Sequence, residues 1–308
     1  MLDFTMRDYL EAARSITERS LHPEVWTRLQ AELRWRAKQG PLSVFEAGAG
    51  TGTMLLRLLE HGLLQRGSYY AIDTDGDLLA VLREHVFTWA NKAGVHVEAM
   101  GEECVCLKTE QGDLRINTVQ KDFLGYMDSF EPGPHYDLFV ACSFFDLVNP
   151  IVSLEKLKVR MKAGALLYLP ITFDGVTSLM PQLAADLDDD VIRLYHKSMD
   201  TRRSNGMVTC GSRAGRLMVH HLTVCGAIPM MVRSSDWVVN PIAGKYRRDE
   251  IFFLKCMLGF IEDALLKQKE IDPFQLDRWL RYRNRQIREG KLTFIAHNLD
   301  ILFHRPQA

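Results

Sequence analysis

The feature that most constrains the fold is a glycine-rich loop between a short apolar strand and an apolar helix. Residues 42–47 predict a buried strand, residues 48–52 carry glycine at every second position, and apolar residues at helical spacing begin at Met54. Glycine permits a tight turn, and the missing side chains let a ligand lie against the backbone at a helix N-terminus. This arrangement is common to many nucleotide-binding folds.

The alternation of strand and helix continues along the chain. The predicted strands are residues 42–47, 68–72, 95–99, 136–142, 165–171, 228–232 and 292–303. Residues 104–120 resemble a hairpin added after the third strand. Strands that alternate with helices form a mostly parallel sheet covered on both faces. We therefore predict an α/β fold with a seven-stranded, mostly parallel, doubly wound sheet.

Helical segments are predicted before and within this pattern. Two amphipathic helices fill residues 1–40 and form an N-terminal helical cap. Residues 41–308 then form one domain with helical insertions at about 174–211 and 245–290, the first of which has the length of a lid. After that lid, a helix with Leu217, His221 and Val224 on one face is expected to return to the sheet.

The charge balance limits the classes of partner. With 38 Lys+Arg against 39 Asp+Glu, the formal charge is -1, and no global positive field is available to hold a nucleic acid. No stretch approaches about eighteen uncharged apolar residues, and Arg7, Asp8 and Glu11 do not fit a signal peptide. We expect a cytoplasmic protein that binds neither nucleic acid nor membrane.

Cysteines and acidic residues give no pattern that predicts a metal site. The 6 cysteines include no CxxC pair, so buried reduced thiols are the better interpretation. The acidic run at residues 188–190 is consecutive, and consecutive helical side chains point about 100° apart, so they cannot converge on one ion. We interpret this run as a solvated helix start.

The order of the glycines argues against a dinucleotide. The dinucleotide fingerprint is GxGxxG, whereas this chain has ExGxGxG from Glu46 to Gly52, with the third glycine one position early. Glu46 would also place a negative charge close to a pyrophosphate. A cationic, zwitterionic ligand removes this conflict.

The glycine loop resembles motif I of the class I S-adenosylmethionine-dependent methyltransferases, and the resemblance extends through at least residues 42–170. In that family an acidic residue that ends the second strand binds both ribose hydroxyls, which is the position of Asp73. An acidic residue followed by an apolar one holds the adenine, and the fourth strand ends beside the methionine part of the cofactor. The resemblance implies S-adenosylmethionine as cofactor, S-adenosylhomocysteine as product, and these cofactor-binding residues: Glu46, Gly48, Gly50, Gly52, Thr53, Asp73, Thr74, Asp122, Phe123, Cys142 and Ser143.

Methyl transfer from a sulfonium needs mainly alignment of nucleophile, carbon and sulfur, which can supply about 7 to 11 kcal/mol. No nucleophilic residue is required, and a base helps only when the acceptor is protonated at the working pH. The candidates for such a catalytic role are Asp146, just past the fourth predicted strand, and His196 in the lid. For His196, a surface histidine on a helix, between Tyr195 and Lys197, is the favoured interpretation.

The acceptor is expected to be a small molecule. Family members that methylate exocyclic amines of bases carry an Asn/Asp-Pro-Pro-aromatic run after the fourth strand, whereas this chain has Cys-Ser-Phe-Phe-Asp at 142–146. Tyr9 and Arg14 lie on the predicted cap and are expected to close over the cofactor. The candidate acceptor-binding residues are Tyr9, Asp146, Tyr195, Arg202 and Arg203.

Two further interpretations remain open. Aminopropyltransferases share the fold and use the decarboxylated cofactor with an acidic base after the fourth strand, a role that Asp146 fits, although their loop is usually Gly-Gly-Gly. A non-catalytic cofactor-binding subunit would instead stabilise a partner through the helices of residues 249–289. Arginines 281, 285 and 288 share a face there, which is solvated by default, and the apolar stripe beginning at Ile251 suits either the core or a homodimer.

Overall fold

The structure is a computed structural model that describes residues 4–129, 135–183 and 185–307. The strands are β1 (Leu42–Ala47), β2 (Gly67–Asp73), β3 (His96–Ala99), β4 (Cys104–Thr109), β5 (Gly112–Gln120), β6 (Tyr136–Val140), β7 (Met161–Met180), β8 (Arg203–Ser204), β9 (Met207–Val208), β10 (Ile228–Ser234), β11 (Trp237–Val239) and β12 (Thr293–His304). The helices are α1 (Met6–Ser20), α2 (Pro23–Gln39), α3 (Thr53–Glu60), α4 (Gly76–Ala93), α5 (Phe123–Asp128), α6 (Pro150–Arg160), α7 (Ala185–Asp200), α8 (Ala214–Val224), α9 (Glu250–Gln268) and α10 (Pro273–Arg288).

One sheet with the strand order β10-β12-β7-β6-β1-β2-β5-β4-β3 organises the described residues, and β11 pairs with β12. The pairs β1–β2, β1–β6, β2–β5 and β6–β7 are parallel, whereas β12 is antiparallel to both β7 and β10. Seven strands lie between β5 and β10 in the sheet, both included. Six of them run in one direction, and β12 runs in the opposite one. This confirms the predicted mostly parallel sheet, which β3 and β4 extend at one edge.

Helices cover both faces of the sheet, as predicted. One apolar core joins the sheet to α1, α2, α3, α4, α9 and α10, and includes Leu55 and Leu82. The other core joins it to α5, α6 and α8, and includes Phe123 and Leu157. The sheet is therefore doubly wound. Because the inner strands are parallel, their carboxyl ends lie along the same edge of the sheet.

The prediction for the third parallel strand is wrong. Residues 96–99 form β3, which lies at the edge of the sheet and pairs antiparallel with β4. The third parallel strand is β5, the second arm of the predicted hairpin. β5 takes the inner position because it buries Leu114, Ile116 and Thr118 at alternate positions, whereas β3 leaves most of its side chains exposed.

The predicted change from strand to helix at Asp174 is also wrong. β7 continues to Met180, and its last residues pair with the start of β12. Thr177 and Leu179 are buried while Val176 and Met180 are exposed, which is the alternation of a half-buried strand. The helical part of this segment begins only at α7.

Helix α8 packs on the sheet through a different face from the predicted one. Leu217 and Val224 are exposed and His221 is only half-buried. The face with Ala214, Met218 and Leu222 is buried instead. Both faces have helical spacing, but Gly215 lies on the buried one, where a Cβ atom would come within 2.9 Å of Asp174, so only that face can approach the sheet closely.

The acidic run at residues 188–190 is only partly solvated, contrary to prediction. Asp188 is buried, where it forms an ion pair with Arg283 and accepts a 2.6 Å hydrogen bond from the Trp279 indole N–H. Asp189 and Asp190 are exposed as expected. Because Arg283 has no exposed surface, this pair connects α7 to α10 inside the molecule.

Candidate active site

The three glycines of the loop have left-handed backbones and different neighbours. Gly48, Gly50 and Gly52 have φ values of 68°, 51° and 81°. A Cβ atom on Gly52 would lie 2.6 Å from Leu82, so this glycine allows α3 to pack on α4. At Gly48 the nearest atom would belong to Phe144, and at Gly50 to Leu10 of α1, at 2.8 and 3.1 Å. Thr53 is the first residue of α3.

Asp73 ends β2 directly beside the loop. Its Oδ2 accepts a 2.8 Å hydrogen bond from Gly50 N–H, and its Oδ1 accepts a 3.0 Å bond from Asp75 N–H. Each oxygen of an ionised carboxylate has a further lone pair, so both can accept from a ligand as well. Thr74, the next residue, is exposed.

Glu46 lies beneath the loop and is 2% exposed. The Tyr69 hydroxyl donates a 2.5 Å hydrogen bond to its Oε2. The pKa of Glu46 is raised to about 8, mainly by burial and also by the negative charge of Asp73, although the Tyr69 hydrogen bond lowers it. A cation placed nearby would stabilise the ionised form. The floor of the loop therefore favours a positively charged group.

The other predicted cofactor residues end neighbouring strands. Asp122 follows β5 and caps α5 by accepting a 3.0 Å hydrogen bond from Gly125 N–H, while Phe123 is buried with its ring 5.8 Å from that of Phe144. Cys142 follows β6, and burial raises its pKa to about 12. Ser143 has a φ of 49°, unusual for a residue with a side chain.

Four of the predicted acceptor residues come together beyond the end of β6, in what we call the β6 recess: Tyr9, Asp146, Tyr195 and Arg202. Arg202 Nη1 lies 3.4 Å from Asp146 Oδ2. Besides burial, the charges of Tyr195 and Asp146 raise the pKa of Tyr9. The charge of Arg202 lowers the pKa of Asp146 and that of Tyr195. All four side chains are half-buried.

Burial dominates the electrostatics of the β6 recess. It raises the pKa of Asp146 to about 6, although the Arg202 charge lowers it. It also raises the pKa of Tyr195 to about 12 and that of Tyr9 well above its ordinary value. The phenols are therefore neutral near pH 7, and Asp146 changes protonation just below it.

Helix α1 covers the glycine loop. Besides Leu10 over Gly50, Glu11 lies 3.5 Å from the ring of His85, whose Nδ1 is 3.0 Å from the Thr51 carbonyl oxygen. Arg14 does not join the β6 recess, because it pairs with Glu18 at 3.0 Å and approaches Glu60 of α3 at 3.9 Å.

Two predicted residues lie apart from the β6 recess. Arg203 is exposed and donates to the Gly206 carbonyl at 3.0 Å. His196 lies 3.0 Å from the Thr177 hydroxyl and lines a separate groove of about 560 Å³ between α7 and the end of β7. Burial lowers the pKa of His196.

Asp300, which is fully buried on β12, was not among the predicted site residues. Burial raises its pKa to about 7, against the opposing effect of a hydrogen bond from His22 N–H. A signal for it was available, because residues 294, 296, 298 and 300 alternate inward and the last two are polar. A polar residue at an inward position of a strand needs a specific partner.

Within the described ranges, no group of three or more His, Cys, Asp or Glu is arranged to hold a metal ion. Over the same residues, none of the helices combines the length and the apolar character needed to cross a bilayer.

No family model matches the chain, and no curated protein matches its sequence. A candidate methyltransferase from Bacillus halodurans C-125 has 12% identity and a TM-score of 0.47, covering 90% of this chain and 99% of that one. A candidate sarcosine dimethylglycine methyltransferase from Galdieria sulphuraria has 15% identity and a TM-score of 0.39, covering 91% and 86%. Geranyl diphosphate C-methyltransferase from Streptomyces coelicolor A3(2), solved with S-adenosyl-L-homocysteine, has 8% identity and a TM-score of 0.38, covering 86% and 72%. At such scores the description of the fold rests on the strand order itself.

Proposed function

We propose that this protein transfers a methyl group from S-adenosylmethionine to a small-molecule acceptor and releases S-adenosylhomocysteine. One observation carries the proposal: the glycine loop, Asp73, Asp122 and Cys142 follow β1, β2, β5 and β6, which are adjacent parallel strands. Ligands of open α/β sheets bind at the carboxyl ends of the strands. The segments that resemble the methyltransferase motifs therefore lie along one edge.

The residues at this edge fit the cofactor. Gly48 and Gly50 have left-handed backbones without side chains, Asp73 has lone pairs for two ribose hydroxyls, and a cationic ligand would favour the ionised form of the buried Glu46. The cofactor supplies a methyl group that is already activated, so binding and alignment are the main tasks of the protein.

The β6 recess would hold the acceptor. Tyr9 and Tyr195 offer hydroxyl groups and apolar rings, and the Asp146–Arg202 pair offers both charges. Above about pH 6 the Asp146 carboxylate is ionised and can take a proton from an acceptor nucleophile that carries one. Helices α1 and α7 enclose the recess and limit the access of water.

A thermal-shift panel tests the proposal, because a ligand that binds only the native state raises the melting temperature. S-adenosylmethionine and S-adenosylhomocysteine are expected to stabilise the protein, and NAD and NADP are not. Release of S-adenosylhomocysteine is then measured with a panel of amine, phenol and carboxylate acceptors. Tighter binding of NAD than of the sulfonium cofactor would overturn the assignment.

The position of Asp146 after β6 also suits an aminopropyltransferase, which remains the second candidate. Preferential binding of decarboxylated S-adenosylmethionine in the same panel would favour it. A cofactor-binding subunit without activity would bind the cofactor and yield no product with any acceptor.

We further propose a cytoplasmic protein with no nucleic-acid partner, on the grounds of its cysteine usage and its formal charge of -1. A homodimer is a separate prediction, and sedimentation at several protein concentrations decides it.

A further inference from the structure

Asp300 is fully buried on β12 and faces groups from several elements. Its Oδ2 accepts a 2.7 Å hydrogen bond from His22 N–H. Ile171 N–H and the Tyr168 hydroxyl lie near the carboxylate without completing a hydrogen bond, so Oδ1 has no partner among the described residues. Arg57 of α3 adds a favourable charge from the far side. A buried carboxylate needs donors of this kind, and each donor that it engages is held in place in return.

The first of these contacts is at an irregularity in β7. Leu299 and Ile301 of β12 pair with Thr172 and Leu169 of β7, so Asp300 alone lies opposite two residues, Pro170 and Ile171. This is a β-bulge, which leaves one residue outside the ladder of hydrogen bonds. The Asp300 carboxylate lies beside Ile171 N–H, the donor that the bulge leaves outside the ladder.

The bulge shapes the edge of the recess. Ile171 has a φ of 51°, a strained conformation for a β-branched residue. The Pro170 and Ile171 carbonyl oxygens accept hydrogen bonds from Ser143 N–H at 3.3 Å and from Ser143 Oγ at 3.1 Å. Ser143 in turn lies three residues before Asp146. The bulge is therefore hydrogen-bonded to the segment that leads from β6 to Asp146.

The second contact is at the junction of the first two helices. His22 is the N-cap of α2, and Leu21 before it ends α1. Holding His22 N–H fixes the angle at which α1 leaves the junction, and α1 carries Tyr9 and Leu10 over the site. The Asp300 carboxylate is thus next to both the β7 bulge, which supports the floor of the recess, and the α1–α2 junction, which supports the helix that covers it.

We propose that Asp300 is a positioning residue that holds the β7 bulge and the α1–α2 junction in register, so that the floor and the cover of the β6 recess meet correctly. The link between this role and catalysis rests on the proposed function.

The test compares Asp300→Asn and Asp300→Ala with Asn298→Ala. Asn298 is the preceding inward residue of β12 and is also buried, and its side-chain amide donates a 3.0 Å hydrogen bond to the Ala296 carbonyl on the same strand. Amide hydrogen exchange is measured for residues 6–20 and 168–173, and S-adenosylhomocysteine affinity is measured by calorimetry. The Asp300 variants are expected to exchange faster in both segments, because His22 N–H loses its charged acceptor. They are also expected to bind S-adenosylhomocysteine about tenfold more weakly, because α1 and the β7 bulge are no longer held in place.

The control is expected to lower the melting temperature without either effect. Exchange in residues 6–20 that stays at the wild-type rate, or that rises equally in Asn298→Ala, would overturn the proposal. If Asp300→Ala does not fold, the same two measurements on Asp300→Asn, which keeps the shape of the side chain, provide the test. Failure of the wild-type protein to bind S-adenosylhomocysteine would contradict the proposed function alone, because the exchange measurement needs no ligand.

Discussion

Gly50 N–H donates a 2.8 Å hydrogen bond to Asp73 Oδ2, which joins the glycine loop to the end of β2. Asp73→Ala is expected to weaken S-adenosylhomocysteine binding by about 1.5 to 3 kcal/mol, because the ribose hydroxyls and the loop lose a charged acceptor. Asp75→Ala is the matched control. It removes the cap of α4 at about 1 kcal/mol of stability and leaves the affinity unchanged. Calorimetry that gives both variants the same affinity would contradict the role of Asp73.

Gly50→Ala is expected to abolish measurable cofactor binding, because its Cβ atom would lie 3.1 Å from Leu10 where α1 closes over the loop. Gly94→Ala provides the control for backbone strain. Gly94 is also left-handed, with a φ of 68°, and a Cβ atom added there would have no neighbour within 4 Å. Both variants are expected to lose roughly 1 kcal/mol of unfolding free energy. If Gly50→Ala binds the cofactor with unchanged affinity, Gly50 is required only for the turn.

Arg202 and Arg203 are adjacent in sequence but differ in environment. Arg202→Ala is expected to lower kcat/KM about five- to tenfold with the best acceptor of the panel, because the half-buried Asp146 loses its partner. Arg203→Ala is expected to leave kcat/KM unchanged, since this side chain is exposed and donates to the Gly206 carbonyl, away from the β6 recess. Equal losses in the two variants would show that general surface charge, and not the β6 recess, determines the effect.

Glu46 is expected to make the ligand-free protein less stable as the pH rises. Its folded pKa is about 8 against an ordinary value of 4.5, so its stabilising contribution is complete below 4.5 and is lost as the pH rises through about 8. Asp146 and Asp300 have raised pKa values and act in the same direction. Urea unfolding at several pH values is expected to show a shallower decline in Glu46→Gln. An equal slope in that variant would place Glu46 in a solvated environment.

Methyl transfer is expected to survive EDTA. Transfer from a sulfonium needs no Lewis acid, and the sequence predicts no cluster of hard oxygen ligands. Activity that is lost on chelation and restored by magnesium would contradict this prediction.

The parts of the fold that sequence predicts well are local. The glycine loop can be predicted from local sequence, because its strand, turn and helix are contiguous and each residue type favours the backbone conformation that it adopts. Asp146 and Arg202 were predictable as candidates for a related reason, since the segments that follow parallel strands meet at the ligand-binding edge.

The features that sequence analysis missed depend on distant partners. Whether β3 or β5 lies beside β2 depends on which strand buries more, and the sequence pattern of each alone does not rank them. Asp188 is buried because Arg283 lies beside it in the folded chain, 95 residues further along the sequence. Asp300 depends likewise on His22, at a separation of 278 residues.

The position of β12 has a consequence for synthesis of the protein. β12 lies between β7 and β10 in the sheet although it follows both in the chain. While a ribosome makes the intervening helices, β7 has an open edge and β10 has no strand to join. Open edges are sites of aggregation. A nascent chain that stops before Thr293 is thus expected to hold a complete glycine loop beside an unfinished recess, and to need chaperones until Asp300 emerges.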